Sequence, residues 1–233
     1  MALKRPELSV VIPAFNEERR LGPSLDQVLS YLKARRRSFE VLVVDDGSTD
    51  GTAALVRSRQ RRSPQLKLLS LGRNVGKGGT IKAGVLAAKG RRILFTDADL
   101  STPMEELPNL EKALKPGTPI AVRQPLYREL AGRLFNRLVQ LISVPGVRDT
   151  QFGLKLFDAK VGQELFALQQ IPRFGFDVEF LYLARKAGHG IAEVSVRWVN
   201  SPETKVRPIR DGGRAFLDLA LIRYLDWKGR YKS

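Results

Sequence analysis

Short apolar runs and amphipathic stretches alternate along the first part of the chain. The apolar runs predict strands over residues 8–12, 39–44, 66–71 and 91–96. Between them, apolar residues recur at helical spacing, which predicts helices over 17–35 and 52–61, and a third from the glycine-rich loop 72–79 to about residue 89. Strands that alternate with helices indicate βαβ units and a doubly wound, mainly parallel sheet flanked by helices.

The pattern loosens after residue 99. It predicts helices over 104–114, 127–142, 176–186 and 211–227, and strands near 119–122, 153–157 and 191–199. In the helix over 127–142, leucines line one face and arginines lie off it. That arrangement suits a membrane interface, and it equally suits an ordinary helix packed on the core.

Composition narrows the possible chemistry. The chain of 233 residues has no Cys, which excludes disulfides, thiolate metal sites and cysteine nucleophiles. Its one His, His189, lies in a Gly-His-Gly turn, so neither a Ser-His-Asp triad nor a zinc site is expected. The net charge of +16 favours polyanions: nucleic acid, anionic lipid or phosphorylated substrates. No signal peptide or membrane-spanning run is visible, so we expect no integral membrane protein.

Polar residues follow three of the predicted parallel strands. The pairs are Asn16 and Glu17, Asp45 and Asp46, and Asp97 and Asp99. Carboxyl ends of parallel strands meet at one edge of a sheet, where open α/β sheets bind ligands, so this coincidence predicts a nucleotide site. Asp97 and Asp99 would share a face if the strand continued through them. Paired carboxylates suit Mg²⁺ or Mn²⁺, which in turn hold phosphates.

Each of these features also has a purely structural interpretation. Asn16 can cap the following helix, and Ser101 or Thr102 can cap the helix after Asp99. In the turn after Asp45, capping by Asp46, Ser48 or Asp50 is the alternative. The glycine-rich loop departs from the spacing of both P-loops and dinucleotide-binding motifs. Either it presents backbone N–H groups and Lys77 to an anion at a helix start, or it makes a tight turn that lets the helix pack closely.

Four motifs in order, at 10–17, 43–51, 74–78 and 97–99, resemble family 2 glycosyltransferases of the GT-A fold. Two later motifs, 148–157 and 175–179, resemble the polyprenyl (dolichyl) phosphate branch of that family. The resemblance covers nearly the whole chain. It implies a Rossmann-like α/β fold with a mixed, mainly parallel sheet and peripheral amphipathic helices.

The resemblance also implies a reaction. A single domain, with a nucleotide-binding half over 1–100 and an acceptor-binding half over 101–233, would transfer a hexose from a nucleotide sugar to a polyprenyl or dolichyl phosphate. Glucose from UDP-glucose is the expected hexose, and mannose from GDP-mannose is the alternative. The implied cofactor is Mg²⁺ or Mn²⁺, transfer would invert the anomeric centre, and the protein would act at the cytoplasmic face of a membrane.

The resemblance carries roles over by position. Asp97, Asp99 and Asp149 are the expected catalytic residues, with Asp99 as the metal ligand and Ser101 at the second ligand position. The nucleotide sugar would contact Pro13, Ala14, Asn16, Glu17, Val44, Asp46, Gly76, Lys77, Asp97, Ala98 and Lys205. Separately, the candidates to hold the acceptor phosphate are Arg123, Arg133, Arg137, Arg148 and Lys155. For any one of these side chains, a solvated or headgroup-facing charge is the alternative interpretation.

The sequence departs from the family pattern at one place. Relatives follow the fifth strand with Gly-Ser-Arg and an acceptor loop, whereas here Ala121 runs directly into Val122 and Arg123.

Two other functions are considered for this sequence. A basic nucleic-acid-binding protein is one alternative, but no recognition motif or aromatic stacking platform is visible, so no nucleic acid is expected as a partner. A catalytically inactive membrane scaffold is the other, and the intact acidic set argues against it.

Overall fold

The computed structural model describes residues 5–125, 153–173, 175–196 and 208–232. Its strands form one seven-stranded sheet. In chain order they are β1 (Leu8–Ala14), β2 (Phe39–Asp45), β3 (Leu66–Ser70), β4 (Arg92–Thr96), β5 (Ile120–Pro125), β6 (Leu154–Asp158) and β7 (Ile191–Val196). The predicted strands all fall at these places, and β5 continues without interruption through Val122 and Arg123, pairing along its length with β7.

The helices lie between the strands and after β7. They are α1 (Leu21–Ala34), α2 (Thr52–Gln60), α3 (Lys77–Ala87), a 3₁₀ turn (Met104–Glu106) that leads into α4 (Leu107–Ala113), α5 (Ala159–Leu168), α6 (Phe176–Lys186) and α7 (Pro208–Trp227). The helix predicted over 127–142 lies outside the described residues. Helix α5 was not predicted, although Asp158 caps it by accepting hydrogen bonds from the N–H groups of Lys160 and Val161.

The sheet order is β3-β2-β1-β4-β6-β5-β7. Strand β1 pairs in parallel with β2 on one side and with β4 on the other, and β2 pairs in parallel with β3. Strand β6 runs antiparallel between β4 and β5. The prediction of a mixed, mainly parallel sheet is therefore confirmed. Since the chain winds outward from β1 in both directions, the crevice between the carboxyl ends of β1 and β4 is the position where such sheets bind ligands.

An apolar layer covers each face of the sheet, because successive strand residues point to opposite sides. Val10 packs into the layer with α1 and α4, and the next residue, Val11, packs into the layer with α3, α5, α6 and α7. Three phenylalanine rings on β6, α5 and α6 stack in the second layer, with Phe166 and Phe180 centroids 4.8 Å apart. Among the described residues, none of the helices has the length and apolar character needed to cross a bilayer.

One predicted helix start and two predicted helix caps are wrong. Helix α1 begins at Leu21 rather than at Glu17, and Asn16 has a left-handed backbone (φ 54°) that cannot serve as the predicted cap. The 3₁₀ turn after Asp99 follows Pro103 and has no side-chain cap, so neither Ser101 nor Thr102 fills that role. Thr102 is instead buried, and its hydroxyl has no hydrogen-bond partner within the described structure.

Candidate active site

The loops after β1 and β2 are bound to each other. The Asn16 side-chain oxygen accepts a hydrogen bond from the Thr49 N–H at 2.9 Å, and the Asn16 N–H donates to the Ser48 hydroxyl at 2.9 Å. The Glu17 N–H donates to the Thr52 hydroxyl at 2.8 Å. This exchange explains why both loops are rich in short polar residues, and it holds the edge of the sheet in one shape.

Asp46 joins the loop after β2 to the glycine-rich loop after β3. The Asp46 side chain is buried, and its two carboxylate oxygens accept hydrogen bonds from the N–H groups of Val75 at 2.7 Å and Gly76 at 3.1 Å. Gly76 has φ 88°, a conformation that a residue with a side chain adopts only under strain. Asp46 therefore fixes the backbone immediately before Lys77, the first residue of α3.

The glycines of this loop also allow close packing. A Cβ added to Gly78 would lie 2.7 Å from the Ile171 carbonyl oxygen and 2.6 Å from the Phe176 Cβ. The Gly79 N–H donates to the Pro172 carbonyl at 3.0 Å. The packing interpretation of the glycine-rich loop is thus supported, and the segment 171–173 holds the start of α3 in place.

Asp97 and Asp99 lie in the turn after β4. The strand ends at Thr96 and Leu100 is left-handed (φ 46°), so the expectation that both carboxylates share the face of an extended strand is wrong. Asp97 forms an ion pair with Lys77 at 2.7 Å. One Asp99 carboxylate oxygen accepts the Ser101 N–H at 3.1 Å. The turn after β4, rather than strand periodicity, therefore sets where the two carboxylates lie.

Gly153, just before β6, packs directly on Asp97. The Asp97 N–H donates to the Gly153 carbonyl at 3.2 Å. A Cβ at position 153 would overlap the Asp97 carboxylate. Glycine is therefore required here by the close approach of the Asp97 carboxylate rather than by its own backbone conformation.

Three carboxylates stabilise the positive charge of the Lys77 ammonium. Desolvation lowers the pKa of Lys77, but Asp97, Asp177 and Asp99 together outweigh it and raise that pKa above its ordinary value. Lys77 is therefore fully protonated at neutral pH. A fixed cation beside two carboxylates at the crevice between β1 and β4 can bind both a phosphate and the hydroxyl groups of a sugar.

A second lysine–aspartate pair lies deeper in the same site. Lys155 of β6 contacts Asp177 of α6 at 2.5 Å, and both side chains are almost completely buried. The Phe95 ring is shared, since the Lys77 and Lys155 ammonium nitrogens lie 5.7 and 5.5 Å from its centroid. Burial raises the pKa of Asp177, although Lys155 and Lys77 oppose that shift. Sequence reasoning assigned no role to Asp177; a lysine inside the apolar run 154–157 was the signal that a buried carboxylate must face it.

A model of the family described as "Glycosyl transferase family 2" matches residues 9–181. The chain belongs to this family. The predicted GT-A fold and the predicted glycosyltransferase class are thereby confirmed.

Curated relatives of this family 2 member match along most of the chain. "Dolichyl-phosphate beta-glucosyltransferase" of Drosophila melanogaster is 37% identical, and the match covers 94% of this chain and 76% of the relative. The human protein of the same name is 35% identical, with 93% and 75% covered.

Solved structures resemble the fold. Mannosyl-3-phosphoglycerate synthase from Rubrobacter xylanophilus has a TM-score of 0.74 at 20% identity, covering 98% of this chain and 76% of that one. Glucosyl-3-phosphoglycerate synthase from Mycobacterium tuberculosis, solved with Mn²⁺, UDP and glucosyl-3-phosphoglycerate, has a TM-score of 0.71 at 18% identity, covering 93% of this chain and 80% of that one.

The other residues predicted to bind the donor or the acceptor of this glycosyltransferase lie at several places in the structure. Pro13 and Ala14 end β1 at the crevice, while Val44 and Ala98 are buried beside it. Arg123 lies on β5 in register with Val194. Five predicted residues lie outside the described part of the chain: Arg133, Arg137, Arg148, Asp149 and Lys205.

A divalent cation fits the acidic residues that are described. Within those residues no group of three or more acidic or imidazole side chains could enclose an ion. Asp97 and Asp99 nevertheless offer carboxylates at the crevice, and Mg²⁺ in nucleotide sites is commonly held by one or two carboxylates together with the substrate's own phosphates. The donor set therefore suits an ion that arrives with a diphosphate.

Proposed function

We propose that this family 2 glycosyltransferase transfers glucose from UDP-glucose to a polyprenyl phosphate of the dolichyl type, with inversion at the anomeric carbon. The observation that carries the proposal is the convergence of Lys77, Asp97 and Asp99 at the crevice between β1 and β4. The names of the relatives support the sugar and the acceptor. The site would act where the lipid is, at a membrane surface.

Each residue of the crevice would have a separate role in binding the donor. Asp99, with Ser101 two residues on, would hold Mg²⁺ or Mn²⁺ together with the donor diphosphate, and the ion would neutralise charge that builds on the leaving group. Lys77 would exchange its contact with Asp97 for a diphosphate oxygen. Asp97 would then be released toward the ribose or the sugar. Asp46 and Gly153 would keep Lys77 and Asp97 in position.

The acceptor needs little activation. The second pKa of a phosphomonoester is about 6, so a lipid phosphate is largely dianionic at neutral pH and is itself a nucleophile. Direct displacement from the face opposite the leaving diphosphate converts an α-linked donor into a β-linked product. Because the acceptor phosphate is itself the nucleophile, this reaction needs no histidine base. The chain's only histidine, His189, lies in a turn far along the sequence from the crevice residues.

Asp99→Ala tests the proposal. With UDP-glucose, Mn²⁺ and a short polyprenyl phosphate, we expect kcat to fall at least about a hundredfold, the scale on which removing one electrostatic stabiliser acts. Asp26→Ala is the matched control, because Asp26 pairs with Arg59 on the surface and should leave kcat unchanged. Full turnover by Asp99→Ala would refute the metal-site assignment, and faster turnover with GDP-mannose than with UDP-glucose would refute the donor.

A further inference from the structure

The outer face of α7 is unusually apolar. Six large hydrophobic side chains in the described part of the chain are well exposed, and four of them belong to this helix: Leu217, Leu221, Tyr224 and Trp227. Trp227 is 79% exposed and Leu217 is 70% exposed. A contiguous exposed apolar patch of this kind is typical of an interaction site and not of a helix face that contacts only water.

Helix α7 already has a buried side. Leu219 and Ile222 pack into the core layer with α6. Leu217, Leu221 and Tyr224 are spaced by four and three residues, so they form one stripe on the opposite side. A helix that is apolar on both sides requires a second apolar environment in addition to the protein core.

The charge on this face indicates what that environment is. The Lys228 ammonium lies 5.5 Å from the Tyr224 ring centroid and 5.6 Å from that of Trp227. From residue 208 to 232 the sequence carries six Lys or Arg and three Asp. One of the three aspartates, Asp226, accepts a hydrogen bond from the Tyr182 hydroxyl and forms an ion pair with Lys186 on the inner side of α7. Aromatic rings with aliphatic and basic side chains are the composition of helices that lie in the interface of an anionic bilayer.

The stripe begins next to the active site. Asp218, the neighbour of Leu217, lies against Gly175 so closely that a side chain at position 175 would overlap it. Gly175 precedes the first turn of α6, and Asp177 in that turn pairs with Lys155. A surface held against α7 would therefore lie beside the inner wall of the crevice.

We propose that the outer α7 face, formed by Leu217, Leu221, Tyr224, Trp227 and Lys228, docks on an anionic membrane surface with α7 lying in the plane of the interface. The docking surface deepens the proposed function and rests on it, because a lipid acceptor gives the crevice a reason to face the headgroups. The apolar stripe would enter the acyl boundary, and Lys228 would remain among the headgroup phosphates.

Tryptophan fluorescence tests the docking directly. The chain has two tryptophans, so Trp198→Phe leaves Trp227 as the only reporter. With vesicles that contain phosphatidylglycerol, we expect a blue shift of its emission and quenching by brominated acyl chains. With vesicles of phosphatidylcholine alone, or at high salt, both effects should weaken. An emission spectrum unchanged by either vesicle would overturn the proposal.

Paired variants separate the stripe from general hydrophobicity. Leu217→Ser with Leu221→Ser should weaken vesicle binding about a hundredfold, since each large aliphatic side chain contributes about tenfold. Leu86→Ser, at a 46% exposed leucine on α3, is the control and should bind like the parent protein. Equal loss in the control would overturn the proposal. Lys228→Glu, which leaves the stripe intact, should also weaken binding, and this variant guards against a folding defect in the double variant.

Two further measurements test whether the α7 face binds a second copy of this chain and separate the docking proposal from the proposed function. A concentration-dependent dimer in sedimentation without vesicles, abolished by the leucine substitutions, would overturn docking on lipid. Vesicle binding is measured without turnover, so its result stands even if polyprenyl phosphate is not the acceptor. If both proposals hold, the double variant loses turnover on vesicle-embedded acceptor and keeps it on a short acceptor in detergent.

Discussion

Two lysine–aspartate pairs contact the same phenylalanine ring from different depths. The outer pair, Lys77 with Asp97, has side chains that are 28% and 27% exposed. The inner pair, Lys155 with Asp177, is 2% and 8% exposed. Both ammonium groups lie within 6 Å of the Phe95 centroid. The chemistry of the two pairs is the same, and their access to water is different.

The difference in burial separates their roles. Water and incoming phosphates can compete for the outer pair, which is partly exposed, so breaking it costs less than breaking the inner pair and its lysine is available to a ligand. Breaking the inner pair costs more, because removing either partner would leave a buried charge without this counterion. We infer that the inner pair is part of the framework joining β6 to α6, and that the outer pair is the part of the site that changes partners during turnover.

Asp177→Asn is expected to have the largest effect. Lys155 would lose its buried carboxylate partner, and the free energy of unfolding should fall by about 3–5 kcal/mol. Urea unfolding followed by circular dichroism measures this change. Asp26→Asn removes an exposed pairing and should change the free energy of unfolding by no more than about 1 kcal/mol. Similar losses for the two variants would contradict the framework role of the inner pair.

Lys77→Gln should separate binding from stability. We expect the free energy of unfolding to fall by less than it does in Asp177→Asn, while kcat/KM for the nucleotide sugar falls at least about tenfold through loss of a charge-assisted phosphate contact. Lys160→Gln, at an exposed lysine on α5, is the control and should leave both quantities unchanged. A variant with parental kcat/KM would show that the outer pair does not serve the donor.

Phe95→Leu compares the two pairs most directly. A double-mutant cycle with Lys155→Met should show a coupling free energy of about 2 kcal/mol, since the inner ammonium is desolvated, and a cycle with Lys77→Met should show about 0.5–1 kcal/mol. Both are measured by urea unfolding. Equal couplings would mean that burial does not distinguish the two contacts with the ring.

Strand positions could be predicted from the sequence, whereas the hydrogen-bond partner of an individual polar residue could not. Apolar runs located every described strand, and the positions after β1, β2 and β4 correctly indicated where the polar residues collect. Asn16 was predicted to cap a helix, and instead it bonds to Thr49 in another loop. A cap and a cross-loop hydrogen bond use the same short polar side chain, so local sequence cannot choose between them.

The sequence alone determined the alternation of strands and helices and the edge of the sheet at which the polar residues cluster. It also determined the absence of cysteine and triad chemistry. Local hydrophobic periodicity and residue type are sufficient for these conclusions. Only the tertiary structure decided that β6 enters antiparallel beside β4, which places Lys155 next to Phe95 and brings Gly153 onto Asp97. It also decided which of two identical ion pairs is buried. Burial depends on elements far apart in the chain, and for a charged side chain burial determines whether it supports the fold or remains available to a ligand.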